Sequence, residues 1–338
     1  MTRRAVAVVV CAIVAALLPV PAQLVERWYS TFLYAGVQRV LTPLSNLAPF
    51  ALFDALCVAA ICAFAVAAYR AVRQLGWRRG GLRAAAVLAV VAASAYLVFL
   101  ATWGLNYRRV PIVQKVRYEP SRITRGAAGD LGDASAAALN RLHASAHAST
   151  LSLDALAASS DRTVQRLGGP AGIAYGRPKQ TLLGGYFHAI SVAGMTDPFL
   201  LETLVAPDLF DVERPFVIAH EWAHLAGFAD ESEANFVAWL TCRHGDALAQ
   251  YSAALAMIGH VQPSRPLREL LDIGPKTDIW AQRYRYAQTN ATLRVAAQRG
   301  YDAYLKANRV EKGIESYDAV VQLILGTTLD DDGFPRRP

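Results

Sequence analysis

The stretch His220-Glu221-Trp222-Ala223-His224, running on through Gly227 to Asp230-Glu231-Ser232-Glu233, decides how this chain is read. Histidines at i and i+4 lie on one face of a helix, so their imidazoles can meet a single cation. A third protein ligand completes a catalytic zinc site and leaves a position for water. Glu221, between the histidines, is then placed as general base toward that water and afterwards as acid. The neighbouring residues predict the helix. Pro215 suits a first turn, Phe216-Val217-Ile218-Ala219 is an apolar run, and Gly227 stands where a left-handed cap would end it.

Three carboxylates compete for the third ligand position. A turn at Gly227 could start a second helix near Asp230, on which Glu231 and Asn235 share a face at i, i+4. Glu231 would then bind zinc, and Asn235 would hydrogen-bond a ligand histidine. Glu233 and Asp230 are the alternatives, in that order. Asp230 stands six residues after His224, where a metzincin HExxHxxGxxH pattern has its third ligand.

The 338 residues are 54% apolar and mean hydropathy is +0.24, too hydrophobic for a simple soluble protein. The excess lies before residue 105, which predicts a membrane anchor over 1–104 and a zincin-like domain over 105–338. Spans are expected at about 5–21, 53–70 and 84–103. The first could instead be a signal peptide, but the further spans favour an anchor. Asp54 reads as an N-cap at the edge of the second span, and residues 23–50 as an interfacial segment with Trp28, Tyr29, Phe32 and Tyr34. The formal charge of +7 does not point to nucleic acid. Arg70, Arg73, Arg78, Arg79 and Arg83 crowd one short segment between spans, the signature of a cytoplasmic loop. The zinc motif would then lie outside the cytoplasm, on the periplasmic side of an inner membrane. Of four cysteines, Cys11, Cys57 and Cys62 fall in apolar stretches and only Cys242 in the remainder, so no disulfide framework is implied.

Residues 106–120 read as an extended linker and 127–168 as two helices. His143 and His147 share the i, i+4 spacing, but no Glu lies between them and they read as surface histidines. The Gly-, aromatic- and β-branched-rich segment 182–192 and the run 199–205 predict a hairpin before the zinc helix, with His188 structural. An edge strand there could pair with an extended peptide. Residues 231–258 and 276–326 read as helical, and Tyr317 is a candidate donor to a developing oxyanion.

Several motifs together resemble a known family. They are Trp103-Gly104-Leu105-Asn106-Tyr107-Arg108-Arg109, Met195-Thr196-Asp197-Pro198-Phe199, His220 to Phe236, Tyr304-Leu305-Lys306-Ala307-Asn308 and Ser316-Tyr317. The combination resembles an uncharacterised bacterial family of membrane-anchored proteins, a domain of unknown function with a zinc-peptidase motif. More distantly, Glu231-Ser232-Glu233-Ala234-Asn235 is similar to the E-x-x-A-D segment of HtpX-type membrane metallopeptidases. That resemblance implies Glu231 as third ligand and puts Asn235 where Asp is usual. The spacing from His224 to Glu231 is shorter than in those peptidases.

The expectation is three N-terminal transmembrane helices followed by a mainly helical α+β zincin-like domain with a small sheet. It would carry one Zn2+ per chain, sit in the bilayer and hydrolyse peptide or protein substrates of the envelope. The alternatives are a zinc-stabilised scaffold or sensor without catalysis, or a hydrolase of amide or ester bonds in cell-wall material.

Overall fold

The computed structural model describes residues 2–261, 263–308 and 319–338. Helices dominate: α1 (Arg3–Leu17), α2 (Tyr34–Asn46), α3 (Leu52–Thr102), α4 (Arg125–His147), α5 (Leu153–Arg166), α6 (Gly184–Ile190), α7 (Arg214–Leu225), α8 (Glu231–Arg243), α9 (Ala247–Ile258), α10 (Ile273–Ala287), α11 (Ala291–Ala307) and α12 (Ala319–Gly326). The strands β1 (Pro178–Lys179), β2 (Gly194–Thr196) and β3 (Thr203–Val205) form one small sheet in the order β1-β3-β2. β1 runs parallel to β3, and β2 antiparallel to it with Met195 opposite Leu204. Side-chain caps start several helices. Ser152 Oγ accepts from the Ala155 amide at 3.2 Å and Asp246 Oδ1 from the Ala249 amide at 2.9 Å.

The membrane part corrects the expected fold class. Among the described residues only α3, 51 residues long, is long and apolar enough to cross a membrane; a second span is added only if α1 and Ala22–Asn46, bent by 108°, count as one. Three N-terminal transmembrane helices are therefore not formed. With 15 residues α1 is about 22 Å long, short of the roughly 30 Å of a hydrocarbon core. The arginine-bearing segment at 70–83 is not a loop either. It is helical on both sides of Gly76, whose φ of 74° and ψ of 168° break the helix, so the expected spans 53–70 and 84–103 are joined by a sharp kink rather than by a loop. This long apolar helix near the N-terminus points to a membrane anchor.

Both ends of α3 meet the sheet. At the start, the Glu202 carboxylate accepts from the amides of Leu52 and Phe53 at 3.1 and 2.8 Å, which suits a carboxylate at a helix N-terminus. Lys179 Nζ, itself buried, holds the same carboxylate at 2.6 Å. Asp54, expected as the cap, instead accepts from Thr181 Oγ1 at 2.6 Å and the Leu182 amide at 2.8 Å. At the far end Thr102 Oγ1 donates to the Pro198 carbonyl at 2.7 Å. The chain thus leaves the sheet, bends at Gly76 and returns.

The expected first strand of the hairpin is largely a helix. Leu183, Phe187 and Ile190 stand at i, i+4 and i+7, a helical stripe obscured by the aromatic content, and α6 follows it. Ser191, in the left-handed region at φ 62°, ends α6, and β2 begins only at Gly194. The core lies against α7 and α8, and α8 is buried from Glu231 to Cys242.

Candidate metal centre

Local rules place α7 and α8 face to face. Pro215 sits in the first turn of α7. Gly227, at φ 85°, permits the terminal turn, in which the Phe228 amide donates to the Ala223 carbonyl at 3.0 Å and the Gly227 amide to that of His224 at 2.9 Å. Asp230 then caps α8, its Oδ1 accepting from the amides of Ser232 and Glu233 at 2.9 and 3.2 Å. The chain doubles back within five residues, and the first turn of α8 reaches the two histidines.

His220 Nε2 lies 3.1 Å from His224 Nε2 and 3.2 Å from Glu231 Oε2, and His224 Nε2 lies 3.7 Å from the same oxygen. Tetrahedral zinc with bonds of about 2.0–2.2 Å separates its ligand atoms by about 3.4 Å. The observed distances bracket that value. Each ring is held by its other nitrogen: His220 Nδ1 donates to Asn235 Oδ1 at 2.9 Å and His224 Nδ1 to the Phe228 carbonyl at 2.7 Å. Both Nε2 atoms are thereby turned as electron-pair donors toward Glu231. Such a set favours a positive charge at its centre. Burial opposes charge on Glu231, yet the neighbouring histidines hold its carboxyl well below the usual carboxylate range. Burial likewise works against a charged His224, but Glu231 and Glu221 outweigh it and push the group up to about 9. Two imidazoles and a carboxylate, convergent and largely buried, fit zinc.

Glu221 faces the same space from α7. Its Oε2 accepts from Thr196 Oγ1 at 2.9 Å, while a Cβ on Gly194 would stand 2.7 Å from its Oε1. The missing side chain at Gly194 leaves Oε1 open. Burial pushes the Glu221 carboxyl up, against the lowering pull of His220, His224 and Thr196. His220, Glu221 and Asn235 line a cavity of about 390 Å³, together with Gly194, His260, Gln282 and Tyr286.

The other predicted residues have different places. The Glu233 carboxylate accepts from the Ile112 amide at 2.6 Å and is turned away from the histidines; burial and Asp230 push it up to about 7, against Ile112, Arg109 and Lys115. Asp230 is occupied as the helix cap. Tyr317 lies outside the described residues. His188 pairs with Asp208 at 2.7 Å.

Sequence reasoning missed the residues that brace the site from afar. Trp103 Nε1 donates to the His224 carbonyl at 3.0 Å, and Tyr34 Oη to that of Leu225 at 2.9 Å. Residues 106–120 are not an extended linker: Arg109 is buried, donates to the Gly227 carbonyl at 2.8 Å and pairs with Glu26 at 2.8 Å. These residues are 83 to 191 positions from their partners, and no local pattern marks such pairs. Thr196 stands in the family-like motif Met195 to Phe199, but neither it nor Gly194 is assigned a place at the site by the sequence.

The profile of the family described as "Protein of unknown function (DUF3810)" matches residues 29–325. The chain belongs to that family. No curated protein and no solved structure matches it. The family match takes in α3, the sheet, α7 and α8, so the anchor helix and the histidine cluster fall within one family unit. The family's description assigns no activity.

Proposed function

We propose that this chain is a membrane-anchored, zinc-dependent metallopeptidase. One observation carries the reading: His220, His224 and Glu231 converge on one point while Glu221 opens onto the same cavity. A metal held only for structure has no need of a buried carboxylate beside it. The likeness of Glu231 to Asn235 to the HtpX-type segment points the same way.

His220, His224 and Glu231 would hold the zinc, which when bound supplies a Lewis acid that polarises a carbonyl and acidifies water. Asn235 and the Phe228 carbonyl fix the two imidazoles in orientation and tautomer. Glu221 takes a proton at Oε1 and returns it to the leaving nitrogen, for which a carboxyl raised by burial is suited. Thr196 holds Oε2 and so leaves the other oxygen to the substrate. β2 is an edge strand of the sheet, and Gly194 in it lines the cavity, so an extended peptide can add to that edge beside Glu221. A peptide is favoured over cell-wall amides or esters on that ground.

The five arginines flank the bend of α3 at Gly76, while both ends of α3 meet the sheet. Basic segments stay cytoplasmic, which supports a site on the opposite, extracytoplasmic face of the membrane. The test is cleavage of a peptide library by full-length protein in detergent, with zinc content measured in parallel. Cleavage by wild type and none by a zinc-loaded Glu221→Gln variant is the expected result. Stoichiometric zinc without cleavage of any peptide would leave the scaffold reading in its place.

A further inference from the structure

The second i, i+4 histidine pair stands at the surface, as expected, but its rings share a carboxylate partner. His143 and His147 close α4, and both rings turn toward Asp278 of α10, with Nε2 to Oδ2 distances of 3.7 and 2.9 Å. One ligand atom from each of the three side chains lies within 4.8 Å of the others. The two carboxylate distances again bracket the roughly 3.4 Å expected between ligand atoms on tetrahedral zinc.

The surroundings hold these side chains in place. Tyr251 Oη, from α9, donates to the same Asp278 oxygen at 2.5 Å. Both histidine rings stand edge-on to the Tyr251 ring, with centroids at 5.9 and 6.1 Å. The first turn of α10 presses on His143: a Cβ at Gly274 would fall 2.4 Å from the imidazole, so any larger residue would displace the ring. Asn140, one turn before His143, ties the two helices independently. Its Nδ2 donates to the Leu270 carbonyl at 2.8 Å, and its Oδ1 accepts from the Asp272 amide at 2.9 Å. His143 and His147 keep 30% and 43% of their side-chain surface, which leaves an ion a path from solvent.

We propose that His143, His147 and Asp278 form a second binding site for a divalent transition metal of the zinc class, joining α4 to α10. Two imidazoles and one carboxylate select such a cation over calcium or magnesium, which take oxygen ligands. The site has no carboxylate placed as a base, so its role is to fasten. Asp278, Gln282 and Tyr286 follow one another at i, i+4 and i+8 on one face of α10. Gln282 bonds Glu213 at 2.8 Å, and Gln282 and Tyr286 line the cavity beside Glu221. Metal at the first position of this stripe therefore steadies the cavity wall formed by the other two.

The test is zinc titration of metal-stripped, full-length protein in detergent, followed by elemental analysis and thermal melting. Wild type is expected to hold two equivalents. Glu231→Ala should keep one, and Asp278→Asn or His147→Gln should also keep one, while Glu231→Ala combined with His147→Gln keeps none. Zinc should raise the melting temperature of Glu231→Ala but not of the combined variant. If Asp278→Asn does not fold, the zinc retained by Glu231→Ala still decides the matter. A single equivalent in wild type, lost in Glu231→Ala and kept in His147→Gln, would overturn the second site and leave the peptidase reading intact. A single equivalent with the opposite dependence supports the second site and removes the first.

Discussion

The molecule holds two histidine pairs of identical spacing, and their surroundings give them different capacities. His220 and His224 sit within a core where even Glu221, Glu231 and Asn235 are buried, at 3%, 4% and 5% exposure. His143 and His147 stand at the end of a helix, themselves 30% and 43% exposed, beside a carboxylate partner that is 14% exposed. His220 and His224 have a glutamate between them and a cavity in front of them, whereas no glutamate stands between His143 and His147. Ligand type and spacing suffice to hold an ion. Chemistry asks in addition for a base whose charge is costly and a space from which water can be excluded.

The comparison is broken most directly at Glu221. Glu221→Gln should lower peptide cleavage by about 10²–10⁴-fold with zinc content unchanged; loss of zinc together with activity would show that Glu221 holds the site rather than acting in it. A buried carboxylate without a cation partner supplies the control. Asp197 is pushed up to about 6 by burial, against the amides of Phe199 and Leu200 and with a further push from Glu202. The folded state then binds its proton more tightly than the unfolded state. Stability should therefore fall by about 3 kcal/mol as pH rises from about 4 to about 6. In Asp197→Asn that component of the pH dependence, measured by denaturant melts at each pH, should vanish.

Asn235 sharpens the difference between the two pairs in another way. Asn235→Ala frees the His220 ring and should weaken zinc binding at that site by about 10–100-fold, measured by chelator competition. Zinc held through His147 should be unaffected. The smallest expected effect is at Trp103. Trp103→Phe removes the hydrogen bond to the His224 carbonyl and should cost about 1 kcal/mol in stability, read from the shift of the denaturation midpoint. Activity per folded molecule should change little.

What was legible in the sequence was local. Histidines four apart, a proline in the first turn, a glycine free to take φ 85° and an aspartate able to cap the next helix are short-range rules, and together they set α7, the turn and α8. Asn235 one turn beyond Glu231 follows from the same helical period. Which of Asp230, Glu231 and Glu233 lies beside His220 and His224 is decided by how α8 packs against α7, because neighbouring helix positions point about 100° apart. Local hydropathy marked the apolar stretches but misjudged their boundaries. Arginines do not interrupt a helix, and only Gly76, with its left-handed φ, shows where α3 bends. Asp278, 131 residues from His147, and Thr196, 25 from Glu221, carry no local signal at all. Periodicity reports which face a side chain occupies, whereas the partner across that face is chosen by packing between segments far apart in the chain, and that belongs to the tertiary structure.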